Sequence, residues 1–425
     1  MLKRLTVTVT SVLVSICGCG SGDGPVLPTS GAGANYVVQT GSSGGALATG
    51  PNVVSAVVDQ GPPGLDTPYT NGLFVTATVC APGTSNCQII DHLLVDTGSV
   101  GLRVLGSVLT LALPAAKDAT GLAALAECLP FIDGSSWGTV NGADLRIGGE
   151  TASALSIQVI GEQSYPLPPD CTGTPANDLN GLGANGILGV GSYLNDCGAD
   201  CAPPAIPPLN PGFYYRCSSA QAGGCQVTSV PVALQILNPV AAFPVDNNGV
   251  LIQLPALPAA GAPSTSGVVV FGIGTQANNG LGNAAVFALD VSGYVETAFP
   301  AGGIQYTGYL DSGSNALFFL DQGTTGIPLC PGDMNIFYCP TVTTNLNATI
   351  VGGGTSANVS FSVANAAQLA ARNFAFNNLA GPMGGYPDPQ QPSFDWGLPF
   401  FFGRSVFTAI EEQPTPAGFG PYFAF

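Results

Sequence analysis

Leu93-Leu94-Val95-Asp96-Thr97-Gly98-Ser99 is an apolar run that ends in a carboxylate, a hydroxyl, a glycine and a second hydroxyl. A strand that carries an aspartate into a glycine turn presents that carboxylate at its end, with small donors beside it. A second copy, Gly308-Tyr309-Leu310-Asp311-Ser312-Gly313-Ser314-Asn315, lies far downstream. Either copy alone reads as an ordinary turn in a chain with 59 glycines among 425 residues. A second repeated feature, two apolar residues followed by glycine, occurs as Ile187-Leu188-Gly189 and as Phe401-Phe402-Gly403. Asp96 precedes Gly189 by 93 positions and Asp311 precedes Gly403 by 92, a shared register that reads as an internal duplication.

These paired turns and apolar-apolar-glycine segments resemble those of the pepsin-like aspartic proteases. The resemblance takes in Asn185-Gly186-Ile187-Leu188-Gly189-Val190-Gly191 and Phe402-Gly403-Arg404-Ser405-Val406-Phe407, and spans about residues 70–425. It implies an all-β, bilobal fold: two related β-barrel-like lobes, here 51–228 and 229–425, with the active-site cleft between them. It implies that Asp96 and Asp311 meet at a pseudo-twofold axis and hydrolyse extended peptides. Thr97 and Ser312 would cross-link the two turns, Ser99 and Ser314 would flank the carboxylates, and Gly98 and Gly313 would let the backbones approach. Trp137-Gly138-Thr139 resembles the family's flap, a hairpin over the substrate, with Trp where Tyr is usual. An indole donates one hydrogen bond and lacks the phenol's acceptor; the plain alternative is a core aromatic. Arg404 departs from the Asp that many members carry after the glycine.

Two carboxylates at hydrogen-bond range cannot both ionise cheaply, so they share a proton and titrate as a pair. The ionised member can take a proton from water while the protonated one donates to a substrate carbonyl, with no covalent intermediate. No metal or other cofactor is expected: His92 is the only histidine, and none of the close cysteine pairs has two-residue spacing. A Ser-His-Asp site built on His92, four residues before Asp96, is the weaker nucleophilic alternative.

Charged residues are 8% of the chain and apolar ones 46%, with 36 prolines, which favours short strands and tight turns over long charged helices. Lys3-Arg4, the apolar run Leu5 to Ile16 and Ile16-Cys17-Gly18-Cys19 read as an export signal over 1–18, too short to span a membrane. Its end fits a bacterial lipoprotein cleavage box with Cys19 lipidated; a plain secretory signal is the alternative. Gly20, rather than Asp, favours outer-membrane sorting by analogy with bacterial lipoproteins. Without Lys3 and Arg4 the chain keeps 6 basic against 25 acidic residues, so nucleic acid is a poor partner. The expected partners are a peptide or protein substrate and the membrane through the lipid alone, and the chain is expected to be a monomer.

Residues 19–50, rich in Gly, Ser, Pro and Ala, read as a tether. Gly41-Ser42-Ser43-Gly44-Gly45 and Gly181-Leu182-Gly183-Ala184-Asn185-Gly186 match hydrolase and dinucleotide motifs formally, but lack the strand and helix those motifs need. Strands are expected over Asn52 to Asp59, Gly72 to Cys80, Gln88 to Val95, Ala143 to Ile147, Ser153 to Ile160, Gly249 to Leu254 and Gly267 to Ile273. Ala364 to Arg372 is the best helix candidate. Ten cysteines after Cys19 allow five disulfides. Cys80 with Cys87, Cys217 with Cys225 and Cys330 with Cys339 would clip local loops, and Cys197 with Cys201 and Cys128 with Cys171 would complete one possible set; spacing does not fix the connectivity. Asn195 to Gln226 reads as a disulfide-clipped insertion. Two further functional readings stand beside the protease: a non-catalytic binding module on the same fold, and a structural envelope lipoprotein with fortuitous motifs.

Overall fold

The computed structural model describes residues 35–38 and 46–425, apart from 132–133, 162–163, 205–209, 220–222 and 384–392. The export signal over 1–18, Cys19 and most of the tether lie outside the described residues. Within the expected tether, Asn35–Val38 is a strand that pairs in parallel with Ser356 to Val359. Its Tyr-Val-Val run has the β-branched and aromatic character that suits a sheet.

The molecule is all-β, with two barrel-like lobes and one sheet that runs through both. That fifteen-stranded sheet has an antiparallel middle in the order Gly72–Cys80, Val53–Asp59, Thr265–Phe271, Gly249–Leu254, Arg404–Ala409, Tyr422–Ala424. Val58 pairs with Thr265 and Val53 with Val270, so β-branched strands from the two halves of the chain sit side by side. An eight-stranded sheet completes the second lobe. The strands read from the sequence are present, Gly72–Cys80 and Gly249–Leu254 with the expected bounds and the others with shifted ends, and the hairpin strands are longer than expected, at Ser135–Ile147 and Glu150–Ile160.

Aliphatic side chains fill the first lobe, among them Leu73, Val75, Leu93, Val95 and Ile157. The second lobe is packed with rings: Phe319 lies 5.2 Å from Phe394 and 5.4 Å from Phe361, and Trp396 lies 5.4 Å from Phe400. Five disulfides join Cys80 to Cys87, Cys128 to Cys171, Cys197 to Cys201, Cys217 to Cys225 and Cys330 to Cys339. Within the insertion, Tyr214–Cys217 pairs with Ala124–Pro130 and so widens the first lobe's sheet.

The helix expected over Ala364 to Arg372 is a single 3-10 turn, Ala366–Gln368. Asn365 caps that turn by accepting from the Ala367 N–H, and the backbone then leaves extended at Leu369. The segment is tied sideways to its neighbours, with the Ala364 N–H on the Asn378 carbonyl and the Ala366 N–H on the Tyr338 carbonyl.

Candidate active site

Each lobe delivers its aspartate by the same device. Cys87–Asp96 runs parallel to Gly186–Val190, with Leu93 opposite Gly186 and Asp96 opposite Gly189. Val100–Leu105 flanks the same threading strand on its other side, antiparallel. In the second lobe Ile304–Leu310 runs parallel to Ser393–Trp396, with Thr307 opposite Ser393 and Leu310 opposite Trp396, and Leu317–Phe319 closes the other side. A glycine at the end of each threading segment crowds its turn: Gly189 within its strand and Gly397 just after its own. A Cβ on Gly189 would stand 2.8 Å from the Val100 backbone, and one on Gly397 2.1 Å from the Ala316 carbonyl oxygen.

This corrects the duplication read from the sequence. The second threading segment is Phe394-Asp395-Trp396-Gly397, and Phe401-Phe402-Gly403 lies beyond it, after the 3-10 turn Leu398–Phe400. Gly397 follows Asp311 by 86 positions, so the near-equal 93 and 92 were a coincidence of numbering. The duplication itself is carried by the paired strands. A charged residue in the middle of the second segment is what hid it from a search for two apolar residues and a glycine.

The two turns are locked to one another. Thr97 N–H donates to Ser312 Oγ at 3.1 Å and Ser312 N–H to Thr97 Oγ1 at 2.9 Å. Thr97 Oγ1 donates to the Leu310 carbonyl at 3.0 Å, and Ser312 Oγ to the Val95 carbonyl at 2.7 Å. Both side chains are buried, at 4% and 0% exposure. Each hydroxyl thus spends its donor and one lone pair on the opposite lobe, which fixes the separation of the carboxylates. Asp96 Oδ1 accepts from Gly98 N–H at 2.8 Å and its Oδ2 from Ser99 Oγ at 2.5 Å. Asp311 repeats the pattern with Gly313 N–H at 2.8 Å and Ser314 Oγ at 2.9 Å.

The glycines face the opposite acid. A Cβ on Gly98 would stand 2.7 Å from Asp311 Cγ, and one on Gly313 2.6 Å from Asp96 Oδ1, so any larger residue would push the carboxylates apart. Burial, then the charge of Asp96 and a hydrogen bond to it, hold the Asp311 carboxyl well above its ordinary range, against the opposing pull of Gly313 N–H and the Ser314 hydroxyl. The two carboxyls thus lie within reach of one another, and Asp311 keeps its proton more firmly than a free aspartate does.

Trp137 departs from its expected place. It stands within Ser135–Ile147, 3% exposed, opposite Cys128 of the partner strand, with its ring edge-on to Tyr215 at 5.2 Å. Its indole N–H donates to the Tyr165 carbonyl at 3.1 Å. Gly138 pairs with Ile160 and would strike the Val159 carbonyl with any Cβ, and Thr139 bonds to Asn141 at 2.7 Å. The hairpin turn lies earlier, where Phe131 N–H donates to the Gly134 carbonyl at 2.7 Å. Trp137 is a core aromatic because strand pairing on both sides and the Cys128–Cys171 disulfide enclose it.

His92 has φ +47, which breaks the alternation of its strand. Its ring lies 5.3 Å from Phe74, with Nε2 3.5 Å from Asp59, apart from the aspartate pair. Arg404 opens the strand Arg404–Ala409, lies 4.4 Å over the Phe400 ring and donates to the Phe400 carbonyl; burial lowers its pKa to about 10.

A buried acid beside the pair that sequence reasoning did not single out is Asp395. It is 1% exposed on the threading strand, opposite Tyr309 on one side and Phe318 on the other. Burial and the nearby Asp311 push its carboxyl well above the ordinary range.

Among solved structures, the crystal structure of aspartic proteinase from Irpex lacteus matches with a TM-score of 0.50, covering 88% of this chain and 96% of that one at 16% identity. At that identity the likeness speaks for the fold, which is pepsin-like. No curated protein matches the chain. A family model described as a protein of unknown function (DUF3443) matches residues 48–425, and the chain belongs to that family.

Proposed function

We propose that this protein is an aspartic endopeptidase that hydrolyses peptide bonds with a water activated between Asp96 and Asp311. The observation that carries the reading is the reciprocal lock of Thr97 and Ser312, which brings two carboxyls together with matched donors, Asp311 with a raised hold on its proton. Two aspartates held this way have little structural use: they cost burial energy without a cation to offset it. Their use is chemical. One carboxylate draws a proton from water, the other protonates the carbonyl oxygen, and the tetrahedral adduct collapses with the proton passed to the leaving nitrogen. The protein is further proposed to be exported and held to the outer membrane by lipid at Cys19, a reading that rests on the N-terminal sequence and is consistent with five disulfides.

The test is cleavage of a broad peptide library from pH 3 to 7 by protein lacking the lipid, with and without pepstatin. Asp96→Asn and Asp311→Asn should each lower kcat/KM by about 10²–10⁴-fold or more while the fold is kept. Cleavage that survives either change would sink the aspartic mechanism. Folded protein that cleaves nothing at any pH would leave a binding module on this fold.

A further inference from the structure

The two threading strands are equivalent in register but differ in the side chain at their middle. Ile187 stands opposite Leu94 in the first lobe, and Asp395 stands opposite Tyr309 in the second. Ile187 is an ordinary buried residue. Asp395 is equally buried, yet neither of its oxygens has a well-formed hydrogen bond. The polar group that faces it is the Ser314 hydroxyl, whose single proton is already given to Asp311 Oδ2 at 2.9 Å.

That commitment decides the state of Asp395. An ionised carboxylate needs donors, and Ser314 has none left to give. A neutral carboxylic acid needs an acceptor, and the free lone pair of Ser314 Oγ is one. The neighbouring strands supply no hydrogen bond to either of its oxygens, the Tyr309 hydroxyl included, and the charges nearest to it are negative. Tyr309 and Phe318 flank it in register, Asp311 lies one strand end away, and Asp96 acts on it from the opposite lobe. No ion pair among the described residues involves Asp395.

Building on the proteolytic reading, we propose that Asp395 is a positioning residue that holds a proton behind the pair: its carboxyl donates to Ser314 Oγ, and Ser314 in turn donates to Asp311. The chain of donors ends on Asp311 Oδ2 and keeps the Ser314 hydroxyl turned toward that carboxyl, whose hold on its own proton is already raised by burial and by Asp96. The relay is one-sided, because Ile187 offers nothing comparable to Asp96 and Ser99. It also sets an upper pH limit. Once Asp395 ionises, Ser314 is drawn to it and away from Asp311, and a further negative charge stands behind the site.

Sign follows from linkage. A carboxyl whose folded-state pKa lies above its unfolded value binds its proton more tightly when folded. Stability is therefore full below the unfolded pKa, near 3.9, and falls as pH rises from there toward the folded value. Asp395→Asn mimics the neutral acid and its donor, and Asp395→Ile copies the first lobe; neither can titrate.

The experiment is thermal unfolding of the wild type and both variants from pH 4 to 7, followed by kcat/KM across the same range. Relative to wild type, Asp395→Asn should leave Tm near pH 4 almost unchanged and raise it by a few degrees at pH 7. Asp395→Ile should flatten the pH slope in the same way, so the inference stays testable if one variant does not fold. Parallel Tm curves for wild type and variants would overturn it without reference to activity. In proteolysis, Asp395→Asn should move the alkaline limb of kcat/KM to higher pH with kcat in acid retained, and Asp395→Ile should lower kcat roughly ten-fold or more with little change in KM. An alkaline limb unmoved by Asp395→Asn would overturn the coupling to Asp311. A wild type that cleaves nothing would overturn the proteolytic reading alone, since the unfolding measurement stands by itself.

Discussion

The two lobes bury carboxyl groups behind their turns and neutralise them by opposite means. In the first lobe Arg103, on Val100–Leu105 and 0% exposed, reaches Glu127 at 2.9 Å and Asp196 at 3.6 Å. Tyr214 donates its hydroxyl to Asp196 at 2.7 Å and accepts from the Ile236 N–H at 2.7 Å, so the network continues into backbone. One guanidinium faces two carboxyls, and burial with the Glu127 charge pushes Asp196 well above its ordinary range. In the second lobe Asp395 has no cation and is held neutral by its proton. The difference teaches that a buried acid can be kept by a partner or by protonation, and that the two choices respond to pH and to mutation differently.

The sharpest way to break this comparison is to remove the cation. Arg103→Met keeps much of the side chain's volume and leaves Glu127 and Asp196 without a counter-charge. A loss of about 3–5 kcal/mol is expected, or failure to fold, because the stranded charges must be protonated or exposed. The loss should be smaller in acid, where Asp196, whose hold on its proton is already raised, is neutral, and larger at pH 7. Denaturant unfolding at the two pH values measures it, and a loss below about 1 kcal/mol at pH 7 would mean that Arg103 does not hold the network together. Asp395→Asn should run the other way, gaining stability as pH rises. Opposite slopes for the two variants would separate pairing from protonation within one molecule.

A second test asks whether the frames of the two lobes are otherwise equal. Thr97→Ala orphans the Ser312 N–H and the Leu310 carbonyl, and Ser312→Ala orphans the Thr97 N–H and the Val95 carbonyl. Each should cost about 1–3 kcal/mol. The double variant should cost less than the sum by about 0.5–3 kcal/mol, since either change alone loosens the contact that the other needs. Matching single losses would locate the asymmetry of the site in what stands behind the turns. Strongly unequal losses would show that the lock itself is lopsided.

Much of this was legible in the sequence for a physical reason: Asp-Thr-Gly-Ser and Asp-Ser-Gly-Ser need small residues at fixed offsets, and those offsets survive any drift in the surrounding core. Strand positions such as Gly72–Cys80 and Gly249–Leu254 were equally plain, because burial on one or both faces writes itself into the pattern. What could not be read was pairing at a distance. Nothing local distinguishes Trp396-Gly397 from Phe402-Gly403 as the segment beside Asp311, and the carboxyl of Asp395 broke the apolar pattern that would have marked the right one. Likewise Arg103, Glu127 and Asp196 are far apart in the chain, and only folding makes them a network. Asn71 belongs to the same class. It is fully buried with φ +56, and its side chain donates to the Asn315 and Phe376 carbonyls at 2.8 and 2.9 Å, tying the first lobe to the end of the second turn.

The smallest expected effect falls on Trp137, where sequence and structure disagree about role. Were the indole a cover over bound substrate, Trp137→Phe would change KM or kcat and leave the unfolding midpoint alone, because a cover residue in the free protein has little to hold. The structure gives the opposite expectation. Phenylalanine keeps most of the edge-on contact with Tyr215 and fits beside the Cys128–Cys171 disulfide, but it lacks the N–H that satisfies the Tyr165 carbonyl. The loss should be about 1 kcal/mol of stability, somewhat more if that carbonyl finds no water, and the kinetic constants should stay within about two-fold. Paired unfolding and peptide-cleavage measurements on this one variant discriminate the two roles. A stable protein with altered KM would return Trp137 to the site, and with it the idea that the strand Ser135–Ile147 covers bound substrate.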